Sequence, residues 1–487
     1  MTANRPGRPD RDTVETALRR LDRVSLAEAR WYGAKGRAIT AIDLDEAFVL
    51  DEAAPHVLAI VRVHGPGTAG TPAARYLFAL TGTPLQLATP GDGAWRALAT
   101  AMAQGRSIAA LPVASDAAGS GVPMPVTAAL VCRPGRAMPP GVEAAGERDL
   151  GADQSNTSAV IGESVLVKAY RRLRPGLNPE LELIAFLSEQ AGFPAVPPLA
   201  GYAEVVSAVD GVTTVAIAQA FVADGADAYE TVAESITAWL LAPGQVSVEF
   251  ATDVAADLGI LTAGMHAALA DATDVSGFET RAASRDDLRR WGTGARDLLD
   301  QALAVTPGPA GLVLRELAPR IAEELTVYEA LTTAPLLTRI HADYHLGQVL
   351  IAPDGFRVVD FEGELVGPED DRRAQRSPLR DVASMLRSLD HVGRSARHRA
   401  ETRNGGPLDA PGLDLEGWLR RSRGRFLGAY RAGLREAGCS IVVDPVLIRA
   451  FELEKECGEF VYASTFLPTW LWAPTEGMRG LFEGEPT

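Results

Sequence analysis

Cysteine is scarce in this chain of 487 residues: Cys132, Cys439 and Cys457 stand far apart and are odd in number. That spacing excludes a disulfide framework and fits no metal-ligand pattern, so the three are expected to be small buried hydrophobes in a reduced compartment. No run of about 18 apolar residues occurs, which excludes a membrane-spanning helix. The opening residues, MTANRPGRPDRD, lack the apolar core of a signal peptide, and a cytoplasmic protein is expected. Basic residues are outnumbered, 47 Lys and Arg against 63 Asp and Glu, for a net charge of −16. That balance disfavours nonspecific binding to nucleic acid or anionic membranes. The acidity forms no block that reads as a tail, and no repeat of fixed period is present.

What the chain does have is apolar material. Hydrophobic residues make up 47% of it, ample for a large core, and its length predicts two to four domains. From Asp12 to Trp31 the spacing of Val14, Leu18, Leu21 and Leu26 predicts a helix. Residues 39–130 alternate apolar and polar in short runs broken by Gly and Pro, as in a separate α+β domain. The Pro- and Gly-rich stretch 133–147 marks a boundary. Strand-like segments follow around SAVI and SVLVKAY, then a helix over 179–191 entered through Asn178 and Pro179. From about residue 226 the chain is mostly helical, interrupted by TRIHAD, QVLIAP and FRVVDFEG. The expected division is a cap domain at 1–135, a β-rich lobe at 136–225 and a helical lobe at 226–487.

The segment LLTRIHADYHLGQVLIAPDGFRVVDFEGE (336–364) carries the chemistry. A strand ends in His341, Ala342 and Asp343, and Gln348 follows five residues after the aspartate. A hairpin then brings a second apolar run back to Asp360, Phe361 and Glu362. Phosphoryl transfer needs these parts: an aspartate to accept the hydroxyl proton, and an amide oxygen with a second carboxylate to hold Mg²⁺ against phosphates. The bland alternative is a hairpin whose carboxylates cap turns. Paired motifs in this order and spacing weigh against it.

Upstream, Lys168 sits in the apolar strand VLVKAY, where a lysine either snorkels at an edge or fixes phosphates. Glu182 lies on the predicted helix and can pair with it; Glu180 competes, since only the helix phase separates them. DQSNTS (153–158) is a polar turn whose backbone N–H groups and Ser155, Thr157 and Ser158 hydroxyls suit phosphate. Gln219, Phe221 and Val222 end a strand where an interlobe hinge would meet adenine.

This arrangement resembles the protein-kinase-like fold, in which His-x-Asp with an amide five residues later precedes Asp-Phe-Gly. The strings HADYHLGQVL, DFEGE, SPLRDVASMLRSLD, QSNTS, LRPGLNPELEL and RWYGAKGR further resemble the bacterial maltokinase family and its aminoglycoside-phosphotransferase-fold relatives. The resemblance implies an α+β bilobal kinase with an N-terminal cap. It implies Asp343 as base, Gln348 and Asp360 as Mg²⁺ ligands, and Lys168 with Glu182 as the ATP-positioning pair. At the C-terminal segment ELEKECGEFVYASTFLPTWLWAP (452–474), the chain departs from the family. Glu459 and Tyr462 match, whereas Gly458, Ala463 and Leu467 replace a tyrosine, a glutamate and an arginine. That puts maltose in doubt, and the chain is more similar to an actinobacterial branch that phosphorylates glucosamine.

Glu452, Glu456 and Glu459 recur on one helix face, and a carboxylate there suits a substrate ammonium. Trp470 and Trp472 suit stacking on a sugar ring or core packing. Asp381 is expected to cap its own helix, His341 to hold the catalytic loop, His345 to be a structural hydrogen-bonder, and Arg30, Trp31, Lys35 and Arg37 to pack the cap. ATP, a small sugar and Mg²⁺ are the expected partners of a monomer or weak homodimer. Competing readings are maltose, aminoglycoside or choline kinases and a non-catalytic nucleotide-binding module. The intact Lys168, Asp343, Gln348 and Asp360 argue against the last.

Overall fold

The computed structural model describes residues 8–34, 36–51, 54–65, 74–112, 128–151, 156–271, 275–363, 372–408 and 414–482. The chain divides into two compact units, Met1–Glu189 with Pro197–Ala223, and Gln190–Val196 with Asp224–Thr487.

The first unit opens with two helices, α1 (Arg11–Arg19) and α2 (Arg23–Glu28), rather than one. The break falls at Asp22, whose carboxylate accepts the Val24 N–H at 3.0 Å and so starts a second helix. Strands β1 (Ala41–Asp51), β2 (His56–His64), β3 (Ala74–Thr81) and β4 (Gln86–Leu87) follow, then α3 (Ala94–Ala103), β5 (Ser107–Ala109) and β6 (Ala128–Pro134). The remainder is β7 (Glu147–Asp149), β8 (Thr157–Ile161), β9 (Val165–Ala169), β10 (Arg172–Leu173), α4 (Pro179–Ala185), β11 (Leu199–Ser207) and β12 (Gly211–Ala220).

Two antiparallel sheets result. One runs β1-β2-β3-β10 with β4 paired to β3; the other runs β5-β6-β11-β12-β9-β8-β7. The expected boundary at residue 135 therefore does not separate sheets. Strands β5 and β6 precede it yet belong to the second sheet, and β10 follows it yet pairs with β3. The Pro-Gly stretch reads as a linker because turn residues look alike inside and between domains. Here it is tied down, with the Gly135 N–H donating to the Ala200 carbonyl at 2.7 Å. Trp31 lies edge-on to Tyr76 and Phe78, and the Arg171 guanidinium lies 5.8 Å from its ring centre. Trp31 thus packs the cap, as expected; Lys35 lies outside the described residues.

The second unit is mainly helical. Its helices are α5 (Ala228–Leu241), α6 (Glu249–Ala270), α7 (Arg285–Val305), α8 (Gly308–Glu324), α9 (Val327–Ala330), α10 (Leu379–Asn404), α11 (Leu415–Glu436), α12 (Pro445–Phe466) and α13 (Trp472–Phe482). Local sequence starts several of them: Ser284 and Asp287 form a capping box on α7, and Asp444 with Pro445 begins α12. Short strands β13 (Ala226–Asp227), β14 (Arg281–Ala282), β15 (Leu336–Leu337), β16 (Val349–Ala352) and β17 (Gly355–Val358) interrupt the helices. Strand β16 pairs with both β13 and β17, which makes the expected hairpin ahead of Asp360. Cys132 and Cys457 are buried and Cys439 half-buried; burial pushes the Cys132 thiol up to about 12, so it behaves as an inert apolar group.

Candidate active site

In the first unit, Lys168 is buried near the end of β9. Asn178 starts α4 by accepting the Glu180 N–H at 2.8 Å, and Pro179 takes the first helical position. That cap fixes the phase of the helix and turns Glu180 inward. Lys168 Nζ stands 2.9 Å from Glu180 Oε2, and the Tyr170 hydroxyl donates to the same oxygen at 2.9 Å. The expected partner, Glu182, is therefore corrected to Glu180. Two residues along a helix turn a side chain by about 200°, so both cannot face β9.

Of the expected phosphate-loop residues, Thr157 and Ser158 open β8 and Ser155 is outside the described residues. The Thr157 hydroxyl accepts from Arg171 Nε, and Ser158 is buried opposite Lys168 in the β8–β9 register. At the end of β12 the Gln219 amide donates to the Pro197 carbonyl at 3.3 Å, which braces this end of the strand. The Phe221 N–H donates to the Ser164 carbonyl at 2.9 Å, while Val222 is half-buried beside it.

In the second unit the catalytic loop hangs from one carboxylate. Asp381, in the first turn of α10, accepts the His341 N–H at 2.9 Å and the Ala342 N–H at 3.0 Å. It was expected to cap its own helix; instead it braces the loop. Ala342 needs that brace, because its φ of +70° is in the left-handed region that a Cβ disfavours. Asp360 shares this geometry at +63°. His341 joins the two segments: its Nε2–H donates to the Val359 carbonyl at 3.0 Å and its Nδ1 accepts the Asp343 N–H at 3.3 Å. Its ring centre lies 4.6 Å from that of Phe361. Gly363, at φ +71°, completes the turn without strain because it has no Cβ.

Asp343, Gln348 and Asp360 come together through His345. His345 Nε2 is 3.8 Å from Asp343 Oδ2 and 3.5 Å from Gln348 Nε2, and Gln348 Nε2 is 3.3 Å from Asp360 Oδ2. Burial first, opposed by Asp343, holds the His345 pKa below its ordinary value, so its ring is neutral near pH 7. The Gln348 amide nitrogen is the atom that faces Asp360; the Asp360 carboxylate and the remaining Gln348 amide oxygen are hard oxygen donors, the chemistry that Mg²⁺ takes.

Helix α12 sorts its carboxylates in a way the sequence did not reveal. Glu452 is fully buried and paired twice with Arg423, at 2.6 and 2.7 Å. Glu456 is fully buried against Arg387 at 2.8 Å and His391 at 3.0 Å. The expected sugar contact at Glu456 is thus corrected: the carboxylate is consumed inside the lobe. Helix α13 closes over it at Gly477, where a Cβ would stand 2.2 Å from Glu456 Oε1. Glu459 stays partly exposed, 3.5 Å from Lys455 Nζ, and the same ammonium lies 3.7 Å from Asp343 Oδ1. Lys455 was missed by sequence reasoning, which followed only the acidic members of this face. Tyr462 is exposed and tilted against Phe466, and Trp470 lies edge-on to His391 at 5.4 Å.

The Asp343–His345–Gln348–Asp360 run in one unit and the buried lysine–glutamate pair in the other are the parts expected of an ATP-dependent phosphotransferase of the protein-kinase-like class. No family model matches the chain. A glucosamine kinase of Streptacidiphilus jiangxiensis is 34% identical over 342 residues, spanning 69% of this chain and 73% of the relative. The chain belongs to the glucosamine kinase family. A second glucosamine kinase, from Mycolicibacterium smegmatis (strain ATCC 700084 / mc(2)155), is 29% identical over 340 residues, 70% of this chain and 80% of that one. A solved glucosamine kinase in complex with glucosamine, ADP and inorganic phosphate has a TM-score of 0.68 at 28% identity, covering 96% of this chain and 98% of that chain. Another crystal form gives 0.71 at 27% identity, covering 96% and 99%.

Proposed function

We propose that this chain transfers the γ-phosphoryl group of ATP to a hydroxyl of glucosamine, giving glucosamine 6-phosphate. The observation that carries the reading is the run Asp343–His345–Gln348–Asp360, pinned by Asp381 and His341 within one unit. Asp343 takes the acceptor hydroxyl's proton and aims its oxygen at the phosphorus. Gln348 and Asp360 would hold Mg²⁺, which would supply positive charge against the phosphates. Lys168, oriented by Glu180, fixes ATP, and the backbone around Phe221 and Val222 meets adenine. The loop with Ser155, Thr157 and Ser158 covers the phosphates. Glu459 takes the sugar ammonium, and Tyr462 and Trp470 offer it aromatic surface. The reading extends to a cytoplasmic enzyme acting as a monomer or weak homodimer.

The test is Asp343→Asn. Folding should be retained while turnover falls by at least ~100-fold, within the range for loss of a general base. Turnover near that of the parent would end the assignment.

A further inference from the structure

Every carboxylate on α12 from Glu452 to Glu456 is held by other side chains: Glu452 by Arg423, Glu454 by Arg380 and Tyr328, Glu456 by Arg387 and His391. The next turn differs. Lys455 and Glu459, four residues apart and so on one helical face, point at the catalytic loop. We propose that Lys455 is a positioning residue for phosphoryl transfer, its ammonium tethering the Asp343 base to Glu459 on the acceptor side.

The argument is one of charge and distance, and it rests on Asp343 being the base. The groups facing Asp343 among the described residues are Lys455 from α12 and His345 from its own loop, with Glu459 reached through Lys455. Without the ammonium, Asp343 and Glu459 would be like charges sharing one small volume. Two such carboxylates repel each other, which pushes the base away from the acceptor side. With the ammonium between them the repulsion is offset, and the base is held where an acceptor anchored at Glu459 can reach it. The separations of 3.7 and 3.5 Å exceed direct hydrogen-bond length. The tether is therefore coulombic, and the Asp343 oxygens remain free to receive a hydroxyl proton.

Lys455 is one-quarter exposed, and the arginine variant keeps its charge and most of its bulk, so thermal unfolding of the variants separates a folding defect from a positioning one. The experiment compares full-length parent, Lys455→Met and Lys455→Arg for kcat and both KM values, with thermal unfolding alongside. Lys455→Met should lower kcat by about ten- to a hundredfold with the KM for ATP within about twofold. Lys455→Arg should recover most of the rate. Parental kcat in Lys455→Met would overturn the proposal. So would a loss that arginine does not rescue, or one that follows the unfolding midpoint. Asp343→Asn run in parallel separates the readings: if that variant keeps turnover, the base assignment itself has failed.

Discussion

The Lys168 ammonium stands 2.9 Å from the Glu180 carboxylate, which is 1% exposed and also accepts from Tyr170. A buried cation of this kind is held in place by its partner, and removing either leaves the other charge uncompensated. Glu180→Ala should raise the KM for ATP at least ~10-fold and lower the unfolding midpoint, whereas Glu182→Ala should do neither. Lys168→Ala should damage ATP use far more than sugar binding. Steady-state kinetics with both substrates varied decides this, and equal effects at 180 and 182 would contradict the pairing.

The Gln348 amide N–H donates to the Asp360 carboxylate at 3.3 Å, which keeps the amide beside that carboxylate. Activity should vanish with a chelator and return on adding Mg²⁺. Gln348→Ala should shift the Mg²⁺ titration to higher concentration without changing the unfolding midpoint. Full activity in metal-free buffer would remove both residues from the account.

Asp381 should matter for stability as well as rate. Its buried carboxylate satisfies two backbone N–H groups of the catalytic loop and holds Ala342 in a disfavoured conformation. Asp381→Ala leaves both donors unpaired, at about 1–3 kcal/mol each. Calorimetry should show a clear fall in the unfolding midpoint together with loss of turnover. A parental midpoint would mean the loop holds itself.

Glu456 and Glu459 should behave as different kinds of residue. Burial pushes the Glu456 pKa up, but Arg387, then His391, outweigh it and leave it below the usual carboxylate value. Its contribution is therefore present above the unfolded carboxylate pKa and lost as pH falls through the folded value. Glu456→Gln should destabilise the protein near neutral pH and flatten part of its acid dependence. Glu459→Gln should leave the midpoint alone and narrow the preference for glucosamine over glucose. Thermal melts across pH, read beside the substrate ratio, tell the two apart.

Much of this was legible because phosphoryl transfer fixes both residue type and spacing. Asp343, Gln348 and Asp360 fall on a loop and a hairpin whose lengths the sequence displays, and the structure brings them together. Asn178 and Pro179 announced the start of α4, but not which carboxylate that start would turn toward Lys168. The answer depends on where β9 lies, which is tertiary information. The same limit governed α12. Three glutamates at helical spacing share a face, yet the arginines that bury two of them come from α10 and α11. No local pattern links Arg387 or Arg423 to those positions. Lys455 went unnoticed because a lysine among acidic residues looks like ordinary helix surface. Strand pairing between distant segments leaves no trace in composition either, so the sequence did not show that β6 pairs with β11, or β10 with β3, across residue 135.

The measurement that bears most directly on the whole account is kcat/KM of the purified protein, with ATP and Mg²⁺, for glucosamine, glucose, N-acetylglucosamine and maltose. A carboxylate that meets an ammonium in glucosamine and nothing suitable in the others should separate them by roughly 1–3 kcal/mol, about ten- to a hundredfold. Glucosamine is predicted to lead by at least that margin, with product phosphorylated at a sugar hydroxyl. Maltose equal to or better than glucosamine, or no phosphorylation of any of the four, would contradict it.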